Sequence, residues 1–208
     1  MTTTRRLLPS LAALTLTAGL LAGCGGKEDP ETTNAGGSES TTSAEASDGG
    51  GASKSPERPD VPKPDPKDYP GMNEHTEKGA EQAFKYYWDL VMWGHQTGDA
   101  ADLKGRQTEN CELCTSLVGD IEKIRRDQTP WSKTTFTDKQ IETATPEGQE
   151  YAFVYSFVVG EHEKPVKRNS EKVRRSDPTV YAAAGGVVWG NEGWKVDDAG
   201  AHNEPVDQ

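Results

Sequence analysis

The chain has 208 residues, 32% of them apolar and 27% charged, with a formal net charge of −11 at pH 7. Those proportions suit one modest core, and so large an acidic surplus excludes a general binder of nucleic acid, whose phosphates would repel it. The apolar residues are unevenly placed: residues 25–70 hold almost none, whereas residues 76–198 hold all five tryptophans.

Arg5 and Arg6 precede an apolar run from Leu7 to Ala22, which is too short and too rich in Thr and Gly for a secure transmembrane span. The run ends in Leu21-Ala22-Gly23-Cys24, followed by Gly25-Gly26. This ending closely resembles the lipobox of bacterial lipoproteins. The resemblance implies a signal peptide over residues 1–23, cleavage before Cys24, and a diacylglycerol on the Cys24 sulfur. Two or more acyl chains anchor stably where one is marginal. The expected location is therefore the extracytoplasmic face of the cell membrane, with palmitate-type lipid as the anchor. Thr4-Arg5-Arg6-Leu7-Leu8 only faintly resembles a twin-arginine signal, so the general secretory route is expected. Loss of both arginines would take the mature chain to about −13.

Residues 24–70 read as a lipidated cysteine and a disordered linker. Residues 25–54 are rich in Gly, Ser, Thr and acids, a flexible coil spanning roughly 30 Å; residues 55–70 are punctuated by proline, a stiffer spacer of up to about 50 Å. An unmodified tether is the simplest reading of the Ser/Thr cluster.

The folded domain is expected over residues 71–200, with a flexible tail at 201–208. Thr76 caps a first helix in which Ala80, Ala83, Phe84, Tyr87, Trp88, Val91, Met92 and His95 recur at helical spacing, and Gly98 stops it. Asp99 caps a short second helix through Leu103. Asn110 caps a third, from Cys111 to about Arg126, whose terminal Lys123, Arg125 and Arg126 suit the helix dipole. Beyond Pro130 the pattern turns β-favouring: Trp131–Ala144, then Tyr151–Val159 as a central strand, then a hairpin of Val180–Trp189 and Trp194–Val196 about Gly190-Asn191-Glu192-Gly193. Helices first and strands afterwards indicate an α+β domain with an antiparallel sheet.

Gly79-Ala80, Phe84, Tyr87-Trp88, Thr97-Gly98-Asp99 and Cys111-x-x-Cys114 together resemble an uncharacterised family of actinobacterial lipoprotein domains, domain of unknown function 6318. The closing segment VVWGNEGWKVDD resembles the last hairpin of cone-shaped folds related to nuclear transport factor 2. The resemblance covers roughly residues 70–200. It implies N-terminal helices packed on a curved, cone-like antiparallel sheet, and it implies no activity, since such folds host enzymes and binding domains alike.

Candidate chemistry is sparse. Cys111-Glu112-Leu113-Cys114 places two cysteines three apart at a helix start, where the dipole lowers a thiol pKa. A structural disulfide in an oxidising compartment is the leading reading, and a thiol–disulfide exchange centre the alternative. No second cysteine or histidine pair supplies a zinc site, and neither metal nor cofactor is expected. His95 lies on the apolar side of the first helix with Asp99 four residues on, and could serve with nearby acids in a cone-fold enzyme; His75, His162 and His202 have no evident partner. The run Lys164, Lys167, Arg168, Lys172, Arg174 and Arg175 encloses one acid, Glu171, in an otherwise acidic chain. It reads either as a solvated hairpin paired with acids such as Glu161 and Glu163, or as a contact for anionic wall polymer or lipid head groups. The tryptophans read as core and rim residues. No catalytic set stands out, so a non-catalytic binding or scaffold domain of the envelope is the leading expectation. Its partners would be the membrane, through the N-terminal lipid, and a cell-wall polymer or envelope protein, not nucleic acid.

Overall fold

The computed structural model describes residues 59–204; the expected signal peptide, the expected lipidation of Cys24 and the expected linker up to residue 58 lie outside them. After a 3-10 turn at Pro66–Asp68 come helices α1 (Glu77–Thr97), α2 (Ala101–Gly105) and α3 (Glu112–Asp127). Strands β1 (Phe136–Ala144), β2 (Tyr151–Val159), β3 (His162–Pro165), β4 (Val173–Ser176), β5 (Thr179–Gly190) and β6 (Gly193–Glu204) follow. The described residues thus form an α+β fold with an antiparallel sheet of order β1-β2-β5-β6, and a separate two-stranded hairpin of β3 and β4.

Local signals set the ends of α1. The Thr76 hydroxyl accepts the Gly79 N–H at 3.1 Å, and Gly98 closes the helix at φ 74°, a left-handed conformation that costs a residue without Cβ little. Gly94 serves another purpose. A Cβ there would lie 2.6 Å from Ile121 Cδ1, so its absence lets α3 approach α1 closely. In β2 alternation is plain: Phe153, Tyr155, Phe157 and Val159 are buried while Val154 faces out. Phe153 meets Phe84 at 5.8 Å between ring centroids and Phe157 meets Trp88 at 5.7 Å, so α1 lies across the inward face of the sheet. Bulges interrupt the register at Asp138/Gln140 and at Gly186/Val187.

Four boundaries differ from the sequence reading. Residues 59–70, assigned to the disordered linker, lie against the helices: the Trp93 indole N–H donates to the Val61 carbonyl at 3.2 Å, Lys63 pairs with Asp102, and the Tyr69 hydroxyl donates to Asp89. Met72, just after, is in the core. Proline reduces the entropy a chain loses on ordering, so a few anchors suffice where apolar content is low. The cap of α3 is Cys111, whose sulfur accepts the Cys114 N–H, in place of Asn110. Strand character begins at Phe136, not Trp131, because residues 131–135 bond instead to α1 and β3. The last strand continues to Glu204, so residues 201–204 of the expected tail pair with β5.

Candidate functional site

The turn after α3 and the β3–β4 hairpin are sewn to the end of α1. Trp131 N–H donates to the His95 carbonyl at 3.1 Å, Thr134 N–H to the buried Gln96 side chain at 3.0 Å, and Ser132 and Glu163 exchange bonds of 2.9 Å. These bonds bring the Trp131 ring onto His95, with centroids 4.3 Å apart and planes 10° from parallel, and onto His162 at 4.4 Å and 16°. Lys164 on β3 puts its Nζ 4.0 Å from the same ring.

Beside this stack opens a cleft of about 750 Å³ between the C-terminal half of α3 and the hairpin. One wall carries Asp120, Lys123, Arg126 and Asp127; the other carries Lys164, Val166, Lys167, Arg168 and Arg174; His95, Trp131 and Thr129 lie between. Six cations thus line the cleft against two carboxylates. Arg126 lies 3.8 Å from Asp127. Among the described residues, Lys123, Lys164, Lys167, Arg168 and Arg174 make no ion pair. Burial, and then Arg174 nearby, hold the Lys164 pKa below its usual value.

His95 is 9% exposed, and its ring makes no hydrogen bond among the described residues; Nδ1 is fully enclosed. Burial, with the positive charge of Lys164 and then His162 adding to it, brings its pKa down to about 4, so the imidazole is neutral at pH 7. The His162 Nδ1 bonds the Gly160 carbonyl at 2.8 Å, and burial again lowers that pKa.

The expected pairing of His95 with Asp99 does not form. The Asp99 carboxylate accepts the Ala101 N–H at 2.9 Å at the head of α2, and Asp99 is not among the residues lining the cleft. A four-residue step across a helix end does not carry the helical face with it. Two histidines expected to lack partners have them: His162, as above, and His75, which stacks on Trp189 at 4.6 Å and pairs with Glu150. Of the six basic residues singled out in sequence, Lys164, Lys167, Arg168 and Arg174 line the cleft. Arg175 pairs with Glu163 at 2.9 Å, the solvated-hairpin reading, and Lys172 is exposed outside the cleft. Lys123 and Arg126 were read only as dipole partners of α3; their three-residue spacing on one helix face is the signal that could have marked a shared wall.

Cys111 and Cys114 are joined in a disulfide, both fully buried in the core. A second polar cluster joins the 3-10 segment, α1 and the sheet: Tyr69 donates to Asp89, Tyr155 donates to Asp138, and Lys85 pairs with Asp138. Burial raises Asp89 to about 6, against the bond from Tyr69. Among the described residues no group of three or more His, Cys, Asp or Glu is placed to hold a metal ion, and no helix is long and apolar enough to cross a membrane.

No curated protein matches the chain. Among solved structures it is similar to the intermembrane space region of the chloroplast protein ARC6, with a TM-score of 0.44 and 9% identity over 63% of this chain and 99% of that one. That neighbour is an intermembrane-space domain and not specifically a relative of nuclear transport factor 2. Residues 51–200 match the family described as a family of unknown function, DUF6318, and the chain belongs to that family.

Proposed function

We propose that this chain is an extracytoplasmic lipoprotein, anchored to the cell membrane through Cys24, whose domain holds an anionic component of the envelope. In this reading it is a binding module and not an enzyme. The observation that carries it is the cleft, where six cations from two walls face one space in a chain of net charge −11. The enzyme alternative loses support because the expected His95–Asp99 pair does not form and the His95 ring bonds neither Asp120 nor Asp127, the two carboxylates of the cleft. The thiol-exchange alternative loses support because both sulfurs are buried away from any attacking thiolate. Kinship with cone-shaped folds and an actinobacterial source belong to the same proposal; the two bulges support the first, since bulges bend a sheet.

The test uses the full chain with Cys24→Ser, which carries no lipid, and dextran sulfate as a generic polyanion. Binding should weaken steeply with salt, be absent for neutral dextran, and fall in K164E/K167E/R168E. Failure to bind, or equal binding by that variant, would overturn the reading. Mass spectrometry of the unsubstituted mature protein should find diacylglycerol on Cys24.

A further inference from the structure

We infer that the cleft is a phosphate-ester site, built to seat a glycerol phosphodiester between α3 and the β3–β4 hairpin. The inference rests on the anion-binding reading above and names its ligand class. Three of the six cations are the guanidiniums of Arg126, Arg168 and Arg174, whose planar forks match oxyanions with two bonds at a time. They stand on opposite walls. A carboxylate and a phosphodiester each carry charge on two diverging oxygens, but a carboxylate is pendant, whereas a phosphodiester lies within its chain and passes between the walls with its charged oxygens facing them and carbon on either side.

The rest of the lining fits what flanks such a phosphate. Val166 sits at the mouth with 59% of its surface exposed, and the Trp131–His95 stack lies between the walls; both offer apolar contact to the carbons on either side of a phosphodiester. His95 is nine-tenths buried, lines the cleft and has no hydrogen-bond partner. Nδ1 is enclosed, so it is Nε2 of the neutral imidazole that supplies one N–H donor to a bound oxygen without another full charge. Concavity argues against a flat charged surface as the target, because only a headgroup or a polymer strand fills the space between walls.

Glycerol phosphodiesters come from two sources, a phospholipid headgroup or a soluble wall-type polymer, and the experiment separates them. The full chain carrying Cys24→Ser is titrated with polyglycerol phosphate, with polyglutamate matched in charge, and with vesicles of phosphatidylglycerol in phosphatidylcholine. Indole fluorescence, with Trp131→Phe as the control, reports occupancy at the cleft. Polyglycerol phosphate should bind about tenfold more tightly than polyglutamate, the equivalent of one charge-assisted hydrogen bond. R126Q/R174Q should lose that preference, while Lys172→Gln, outside the cleft, keeps it. Binding to the polymer alone assigns a wall source, and binding to vesicles alone a lipid source; either supports the phosphate-ester site. Equal binding of polyglutamate overturns this inference and leaves the anion reading standing. No binding of either polymer, of vesicles or of dextran sulfate removes both.

Discussion

His95 shows how one buried side chain ties the site to the stability of the fold. In the unfolded chain its imidazole titrates near 6.5; in the fold burial brings it to about 4. Between those values the unfolded state binds more protons, so this residue's contribution is complete above about pH 6.5 and is lost as the pH falls toward 4. At about 1.4 kcal/mol per pH unit the full span is about 3 kcal/mol. Asp89 acts in the opposite sense. Its pKa is raised from 3.8 to about 6 by burial, so its contribution is complete below about pH 4 and is lost as the pH rises through 6. The two oppose one another across mildly acid pH, and substitution separates them. His95→Phe, which keeps a ring against Trp131, should flatten the acid limb in urea denaturation between pH 7 and 4.5. An unchanged acid limb in that variant would mean that His95 is not the group held neutral.

At the scale of elements, the disulfide and the hairpin divide stability from recognition. Cys111 and Cys114 bridge the first turn of α3, close only a four-residue loop, and pack against the core. By the chain-entropy relation a loop this short is worth about 2 kcal/mol. C111A/C114A should therefore remain folded, melt lower, and bind anions as the parent does, because neither cysteine lines the cleft. Loss of binding without loss of stability would assign the pair a role at the site. These elements also mark what the residues revealed by themselves. Thr76 and Gly98 delimit α1 through bonds made within a few residues, and Tyr151–Val159 is an unbroken run of aromatic, β-branched and small residues, so both are visible locally. Asn110 is as good a cap by composition as any, yet Cys111 takes the place, since the sulfur is already held at the helix start by its bridge to Cys114. Of the cleft, the hairpin wall stood out as a basic run in an acidic chain. The α3 wall did not, because basic residues at a helix C-terminus satisfy the dipole whether or not a ligand exists.

At the scale of the molecule, the boundary between tether and body lies earlier than composition suggests. Residues 59–70 contain Pro59, Pro62, Pro64, Pro66 and Pro70 and few apolar side chains, the profile of a spacer. What holds them is distant in sequence: the groove beside α1, where Tyr69 packs edge-on to Tyr86 at 4.9 Å, reaches the half-buried Asp89 and leads into the buried Met72. Removing the segment would leave Asp89 without its hydroxyl donor and the Trp93 indole without its carbonyl, and each loss leaves a partly buried polar group unsatisfied. A chain beginning at residue 59 should therefore melt higher than one beginning at residue 71, by roughly 5 °C for a domain of this size. Limited proteolysis of the full chain should give a stable product whose N-terminus lies near residue 59 and not near 71. Tyr69→Phe, which removes the hydroxyl and keeps the ring, should recover part of the difference, since the aromatic contact survives while the bond to Asp89 does not. Should the two chains melt together, the segment merely rests on α1 and the body begins where the apolar residues do. Should they differ as expected, the proline-rich stretch is a strap of the domain, and any tether that separates the cleft from a lipid at Cys24 is shorter by those twelve residues.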